Sequence, residues 1–383
     1  MFRDRPLYSV LNLLGVLALI FLALTIACGG SAEDAAEEPT AEPIEEPAEE
    51  PTKEPAEEPT EEPTVTTQIV VDGTRHIEGP LPVIYYALTE SSGEDVYPLG
   101  EGAFSLFGLY DSGSTKVRIN DLYPPNRVAG PNWENSDTGH LKLTGVETVN
   151  LRLNGVNARE ANGNIPIGPQ GSSNEPMVEV RDIAVMPEEV NVSLIGAPVV
   201  NQVIASIDYT KLIVDPAIEY AGTGVRPPTV HLYLPGDSGI PDPDMTLNLE
   251  PFGNLVSNDA TPGYRYWLRD VTFQHGDNVV SDQQGEFDFL FDTGTTLTIV
   301  SDRVANLLEL QDAEFDCFGE ENNGYYVDSV SMVGFDALYQ IDQAAVCHKD
   351  DLVKAGDVVI GSNFFDQVQI IIDGPGASLG INR

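Results

Sequence analysis

Two short segments place an aspartate at the end of an apolar run and follow it with small residues. Asp111 stands in FGLYDSGSTKVRI and Asp292 stands in FLFDTGTTLTIV. Two carboxyl groups held close together share one proton, because both cannot be ionised cheaply. Such a pair could activate a water molecule, with the carboxylate acting as base and the protonated partner polarising a carbonyl group.

The residues after each aspartate suit such a pair. Gly113 and Gly294 lack a Cβ, which lets the two loops approach closely. We expect the hydroxyl groups of Ser114 and Thr295 to form hydrogen bonds to the opposite loop. This chemistry requires neither a metal nor a cofactor. The six residues expected to support the pair are Ser112, Gly113, Ser114, Thr293, Gly294 and Thr295.

A second pair of similar segments follows in the same order. The sequence IGAPVVNQVIASID at residues 195–208 matches IGSNFFDQVQIIID at residues 360–373. Two motifs that recur in the same order indicate an internal duplication. We therefore predict two lobes, residues 67–225 and residues 226–383, which pack about a pseudo-twofold axis where the two aspartates meet.

The elements that must position these residues are mainly β-strands. Short apolar runs with β-branched or alternating residues, such as PVIYYAL, TVHLYL and VQIIID, are separated by Gly, Pro, Asn and Asp. Only residues 301–310, SDRVANLLEL, have the periodicity and the capping residue of a helix. The sequence predicts a mainly β fold.

Together these motifs resemble the pepsin-like aspartic proteases, a family related to the retropepsins. The resemblance covers residues 80–383 and is closer in the second half, where DTGT is followed by DVVIGSNFFDQVQIIID. It implies a bilobal double β-barrel and an endopeptidase that hydrolyses a polypeptide substrate in the cleft, with Asp111 and Asp292 as the catalytic dyad. It also implies a disulfide between Cys317 and Cys347, which export would favour, although two free thiols remain the alternative.

Two accessory residues of that family are missing. No tyrosine occurs between Tyr123 and Tyr209, where the family carries a flap tyrosine, and the tryptophan expected after the first loop is absent. The segment LRLNGVNAREANGN can form a hairpin at Asn154 and Gly155. Either the flap is built differently or the chain is a weak or inactive module that holds peptide or protein in the cleft.

A third interpretation comes from FDTGTTLT, which superficially resembles the phosphorylated-aspartate motif of haloacid dehalogenase-type phosphatases. Those enzymes need Mg²⁺, a second acidic residue and alternating strands and helices. Gly294 occupies the position that their motif needs, and the predicted helices are too few. This interpretation is therefore the weakest of the three.

The N-terminal part predicts export. Arg3 and Arg5 precede an apolar run that ends at Cys28, and LTIAC resembles the lipobox of bacterial lipoproteins. We expect residues 1–28 to be a signal peptide with a lipidated cysteine, and the chain to be anchored at the extracytoplasmic face of the bacterial envelope. An uncleaved anchor or a free secreted form are the alternatives. Residues 29–66, in which a proline stands at every fourth position from 39 to 63, predict an extended, disordered stalk, with no inhibitory pro-segment.

The charge of the chain limits its partners. The 383 residues carry a formal net charge of −42, of which −30 falls on residues 65–383. Such a surface excludes a nucleic-acid partner, because phosphate binding needs a basic face. This negative charge also does not favour binding to anionic lipid headgroups, so attachment to a membrane would depend on Cys28. We expect a monomer.

Overall fold

The computed structural model describes the chain from Thr67 to Arg383 with gaps. The described ranges are 67–75, 77–89, 106–120, 133–135, 141–155, 178–188, 192–210, 227–253, 263–282, 287–317, 323–334, 337–349 and 356–383. The predicted signal peptide, Cys28 and the stalk lie outside these residues, as do the boundary at residue 225 and most of the predicted flap. Within the described ranges the fold is mainly β, as the sequence predicts.

The described elements are 23 strands, two short α-helices and one 3₁₀ helix. The strands in the first half of the chain are β1 (Thr67–Asp72), β2 (Val83–Thr89), β3 (Leu106–Tyr110), β4 (Val117–Asn120), β5 (Trp133–Asn135), β6 (Leu141–Leu143), β7 (Glu147–Asn154), β8 (Val178–Glu188), β9 (Ser193–Ile195) and β10 (Ile204–Asp208). Those in the second half are β11 (Thr229–Tyr233), β12 (Met245–Phe252), β13 (Arg265–Leu268), β14 (Val271–His275), β15 (Asn278–Ser281), β16 (Phe289–Phe291), β17 (Thr298–Val300), β18 (Phe315–Asp316), β19 (Asn323–Val333), β20 (Ala337–His348), β21 (Val358–Ile360), β22 (Gln369–Asp373) and β23 (Ser378–Asn382). The helices are α1 (Ala197–Val200), α2 (Asp302–Leu307) and the 3₁₀ helix Ser362–Phe365.

Strands of the first half close into a barrel, in the order β2-β3-β9-β4-β8-β7. Strand β2 has an almost entirely apolar sequence, and its surroundings explain why. Successive side chains of a strand point to opposite faces. Ile84 and Tyr86 enter the main core, whereas Val83 and Tyr85 enter a smaller cluster on the other face. Both faces of β2 are therefore buried.

The remaining long sheet has 15 strands and includes all the strands of the second half together with β1 and β10. Strand β12 alternates between buried and exposed residues, which indicates that one face of the sheet meets solvent at this strand. The strand β1 pairs in parallel with β20, so Thr67–Asp72 adds to the sheet formed by the second half.

The aspartate loops are held by the same pattern of strands in both halves. In the first half β3 is parallel to β9, which is antiparallel to β4, which in turn is parallel to β8. In the second half β16 is parallel to β21, which is antiparallel to β17, which is parallel to β20. The parallel pair in each half joins one aspartate motif to one IG motif, so the two motifs found in the sequence meet in space.

The two halves also join through one strand from each IG motif. Strands β10 and β22 are antiparallel, and Ser206 pairs with Ile371 at the centre. These two residues occupy the same position in their respective motifs. The flanking pairs, Ile204 with Asp373 and Asp208 with Gln369, are placed evenly about this centre.

The single helix expected at residues 301–310 is present but shorter. Helix α2 ends at Leu307, and the Ser301 hydroxyl caps it by accepting a hydrogen bond from the Val304 amide at 3.4 Å. Glu309 follows with φ of 55°, a left-handed conformation that ends the helix. Among the described residues, no helix is long and apolar enough to cross a membrane.

Candidate active site

Asp111 and Asp292 each follow the last residue of a short buried strand, β3 and β16 respectively. The Asp111 amide donates a hydrogen bond to the Ile195 carbonyl at 3.1 Å, and the Asp292 amide donates one to the Ile360 carbonyl at 3.0 Å. These acceptors are the last residues of β9 and β21, the parallel neighbours of β3 and β16. The IG motif of each half therefore fixes the backbone of the aspartate in that half.

Each carboxylate is also held by its own loop. Oδ1 of Asp111 accepts hydrogen bonds from the amides of Gly113 at 3.0 Å and Ser114 at 2.8 Å. In the second loop the Gly294 amide donates to Asp292 Oδ1 at 2.8 Å, and the Thr295 hydroxyl lies 3.3 Å from Asp292 Oδ2. These contacts aim both carboxyl groups towards the contact between the loops.

A reciprocal set of buried hydrogen bonds ties the two loops together. The Ser112 amide donates to Thr293 Oγ1 at 3.1 Å, and the Thr293 hydroxyl donates to the Tyr110 carbonyl at 2.6 Å. In the opposite direction the Thr293 amide donates to Ser112 Oγ at 3.0 Å, and that hydroxyl donates to the Phe291 carbonyl at 3.0 Å. Each hydroxyl thus accepts one bond and donates one bond across the junction.

This arrangement corrects the prediction for the cross-loop hydroxyls. Ser114 Oγ donates to the Lys116 carbonyl at 3.1 Å within its own loop, and Thr295 bonds to its own aspartate. Ser112 and Thr293 make the cross-loop bonds instead. The two kinds of side chain point in different directions. The side chain directly after the aspartate points across the junction, whereas the side chain three residues after the aspartate turns back into its own half.

The two glycines explain how closely the carboxyl groups approach. A Cβ added to Gly113 would overlap the carboxyl group of Asp292, and one added to Gly294 would lie 2.5 Å from Cγ of Asp111. Each carboxyl group therefore packs against the glycine of the opposite loop. The space that the structure leaves at these two positions holds no side chain larger than that of glycine.

The two carboxyl groups are buried and hydrogen bond to each other. Each residue keeps only 8% of its surface exposed. Burial raises the pKa of Asp111 well above its usual range, and the adjacent charge and hydrogen bond of Asp292 raise it further. Burial also raises the pKa of Asp292, but hydrogen bonds from Gly294, Asp111 and Thr295 and the charge of Arg265 offset part of this rise. The pair therefore holds a proton more tightly than two separate aspartates would.

One charged residue near the pair could not be identified from the sequence. Arg265 begins strand β13, and it acts on Asp292 because β13 lies beside β16. The sequence segment YRYWLRD predicts a strand but does not say which other strand it will pair with. Only the pairing of the two strands shows that this charge lies near Asp292.

The remaining sequence predictions for the site have different outcomes. Cys317 and Cys347 form a disulfide, with their Cα atoms 6.2 Å apart, as the family resemblance implies. The hairpin predicted at Asn154 and Gly155 lies at the end of β7. Leu153 of β7 pairs with Val178 of β8, and residues 156–177, which connect the two strands, lie outside the described part. Among the described residues, no group of three or more His, Cys, Asp or Glu side chains is placed to hold a metal ion.

Comparisons with known proteins gave matches only among solved structures. No family model and no curated protein matches the sequence. The chain is similar to basic 7S globulin from soybean, with 9% identity over 79% of this chain and 95% of that chain, at a TM-score of 0.38. It is also similar to conglutin gamma, a basic 7S globulin from lupine seeds (10% identity, 79% and 95% covered, TM-score 0.40), and to edgp (10% identity, 80% and 95% covered, TM-score 0.42).

Proposed function

We propose that the chain is a pepsin-like aspartic endopeptidase that hydrolyses peptide bonds with a water molecule activated by Asp111 and Asp292. The observation that carries this proposal is the pair of buried carboxyl groups that hydrogen bond to each other. Two matched loops hold this pair, and each carboxyl group contacts the glycine of the opposite loop. Such a pair retains one proton at a pH where separate aspartates have lost theirs.

In the proposed reaction Asp111 holds the shared proton and Asp292 is ionised. Asp292, as the carboxylate, takes a proton from water while the water oxygen attacks the carbonyl carbon of the peptide bond. Asp111 gives its proton to the carbonyl oxygen, which yields a tetrahedral diol. When the C–N bond breaks, Asp292 returns its proton to the leaving nitrogen, and one hydroxyl of the diol returns a proton to Asp111. The dyad then holds one proton again.

The hydrogen bonds of the loops suit these roles. Oδ1 of Asp111 accepts two amide hydrogen bonds, which disfavour a proton on that oxygen. The proton therefore belongs on Oδ2. The mutual hydrogen bonds of Ser112 and Thr293 restrain the distance between the two carboxyl groups, because any separation of the loops must break four buried bonds.

We further propose that the fold is the bilobal double β-barrel that this function requires, produced by internal duplication. The equivalent strand orders around the two aspartates support this proposal, as does the centred register of β10 and β22. A pseudo-twofold axis between Ser206 and Ile371 would relate the two halves. The predicted lobes, residues 67–225 and 226–383, would then meet along this pair of strands.

The cellular setting is a second part of the proposal. Lipidation at Cys28 would tether the enzyme to the extracytoplasmic face of the bacterial envelope, and residues 29–66 would act as a spacer. The disulfide between Cys317 and Cys347 is compatible with export. The substrate would then be a polypeptide outside the cytoplasm.

One observation favours a second candidate function. The chain has no tyrosine between Tyr123 and Tyr209, so the flap tyrosine of the family is absent. A module that binds peptide in the cleft without hydrolysing it would retain the fold and the two aspartate loops but would lose this tyrosine. The two functions differ in whether peptide bonds are broken.

The test uses the full chain in detergent micelles, incubated with a denatured protein between pH 3 and pH 7. We expect proteolysis that is stopped by a pepstatin-type inhibitor and abolished in Asp111→Asn and Asp292→Asn. Asp328→Asn is the matched control, because Asp328 is exposed and accepts a hydrogen bond from the Gly276 amide in the turn between β14 and β15. Proteolysis that survives Asp292→Asn would refute the dyad. Inhibitor binding without proteolysis would favour the binding module.

A further inference from the structure

The strand register places a cation opposite one aspartate of the dyad. Strands β13 and β16 are antiparallel, with Trp267 paired to Leu290. Continuing this register by two residues brings Arg265 opposite Asp292. Directly opposed residues of antiparallel strands have Cβ atoms about 5 Å apart and side chains on the same face of the sheet.

The equivalent position in the first half is apolar. Strands β2 and β3 are antiparallel, with Val83 paired to Leu109. Continuing that register by two residues brings Leu81 opposite Asp111. Leu81 is buried in a cluster with Val83 and Leu109 and carries no charge. The two matched loops therefore face different neighbours, an alkyl group on one side and a guanidinium group on the other.

The guanidinium group of Arg265 is held in place. It lies over the ring of Phe252, 4.8 Å from the ring centroid, and Phe252 is its direct partner across strands β12 and β13. Phe252 in turn stacks on Trp267 with the ring centroids 3.5 Å apart. A half-buried charge fixed on an aromatic face is screened less by water and salt than a charge at the end of a free side chain.

We propose that Arg265 is a positioning residue that assigns the shared proton to Asp111 and leaves Asp292 as the base. This inference rests on the proposed proteolytic function, and it adds a cause for the asymmetry of the dyad. Among the described residues, the ionisable groups that act on Asp292 are Asp111, through a hydrogen bond from the opposite loop, and Arg265, through its positive charge on β13. A positive charge beside one carboxyl group stabilises its ionised form, so the proton remains on the other carboxyl group.

The pH profile of proteolysis provides the readout. The acid limb of kcat/KM reports the protonation of the base, and Arg265 pulls the pKa of Asp292 down. Removing the charge should raise that pKa and move the acid limb to higher pH. An opposite charge within about 4 to 6 Å lowers the pKa of a carboxyl group by about one unit or more. We therefore expect a shift of about one pH unit in Arg265→Gln, which lowers kcat/KM about tenfold on the acid side.

The experiment measures kcat/KM from pH 2 to pH 7 for four forms of the full chain. Arg265→Lys keeps the charge and should leave the acid limb within about 0.3 pH unit of the wild type. Arg303→Gln is the matched control, because the Arg303 guanidinium also lies over a phenylalanine ring, that of Phe287, at 4.2 Å. It removes the same charge away from the dyad, so the acid limb should not move.

The outcomes separate this inference from the proposed function. Absence of proteolysis in the wild type would end the proposed function. An active wild type whose acid limb stays in place in Arg265→Gln would overturn the role of Arg265 alone. If Arg265→Gln does not fold, Arg265→Met removes the charge and keeps an apolar stem on Phe252, and the same shift is expected.

Discussion

Replacing Thr293 by valine would test whether the cross-loop hydrogen bonds hold the dyad together. Valine has nearly the shape of threonine but lacks the hydroxyl group. The change would leave the Ser112 amide and the Tyr110 carbonyl without their partner in the opposite loop. The bonds that Ser112 makes in the other direction would remain, so only half of the reciprocal set would be lost.

The expected cost follows from those two backbone groups. Thr293 is 1% exposed, so water cannot readily replace the hydroxyl. A buried backbone group left unpaired costs about 1 to 3 kcal/mol, which gives a total of about 2 to 6 kcal/mol. Thr293→Ser is the matched control because it keeps the hydroxyl and removes one buried methyl group, at about 1 kcal/mol. Loss of alignment between the carboxyl groups should lower kcat of Thr293→Val on the order of 10²-fold.

Urea unfolding followed by tryptophan fluorescence would give the free energy of unfolding of the three proteins. Proteolysis of a denatured protein would give kcat for the same samples. A Thr293→Val protein as stable and as active as Thr293→Ser would refute the reasoning. It would mean that the loops are held by the strands beneath them rather than by these hydroxyl groups.

Three further predictions concern stability and the contact between the loops. Replacing Cys317 and Cys347 by serine opens a disulfide with a separation of 30 residues, and urea unfolding should show a loss of about 3 to 4 kcal/mol, whereas equal stability would argue against the entropic account. Burial raises the pKa of Asp366 well above its usual range, and neither carboxyl oxygen has a hydrogen-bond partner. The folded state therefore holds its proton more tightly, and stability is lost as the pH rises above the unfolded-state pKa, so Asp366→Asn should gain stability over the wild type at pH 7 but not at pH 3. Gly113→Ala places a methyl group against the opposite carboxyl group and should abolish proteolysis, whereas Gly239→Ala, in an exposed turn, should not.

The sequence predicts those residues of the candidate site that lie within the repeated motif. Asp111 and Asp292 were identifiable because each lies in a motif that recurs, and the recurrence implies that both occupy the same place in equivalent structures. The glycines could be predicted for the same reason, since the space at Gly113 is set by the opposite copy of the motif. A repeated motif carries information about contacts that neither copy carries alone.

Directions within a loop could not be predicted in the same way. Ser112 and Ser114 are the same residue type, two positions apart, and only one of them reaches the opposite loop. The choice depends on the backbone dihedral angles of the turn, which a pattern of residue types does not specify. The assignment to Ser114 and Thr295 was wrong for that reason, although both residues still support their own half of the site.

The asymmetry that our proposal gives to the dyad has two sources. Hydrolysis needs one acid and one base, and the loops already present the two carboxyl groups differently. Asp111 accepts two amide hydrogen bonds, whereas Asp292 accepts one from an amide and one from a hydroxyl group. The second source lies outside the motif, because continuing the strand registers brings Leu81 beside Asp111 and Arg265 beside Asp292. A positive charge next to only one carboxyl group favours its ionised form. Positions such as these, where the two halves differ, are found by comparing strand registers rather than by searching for motifs.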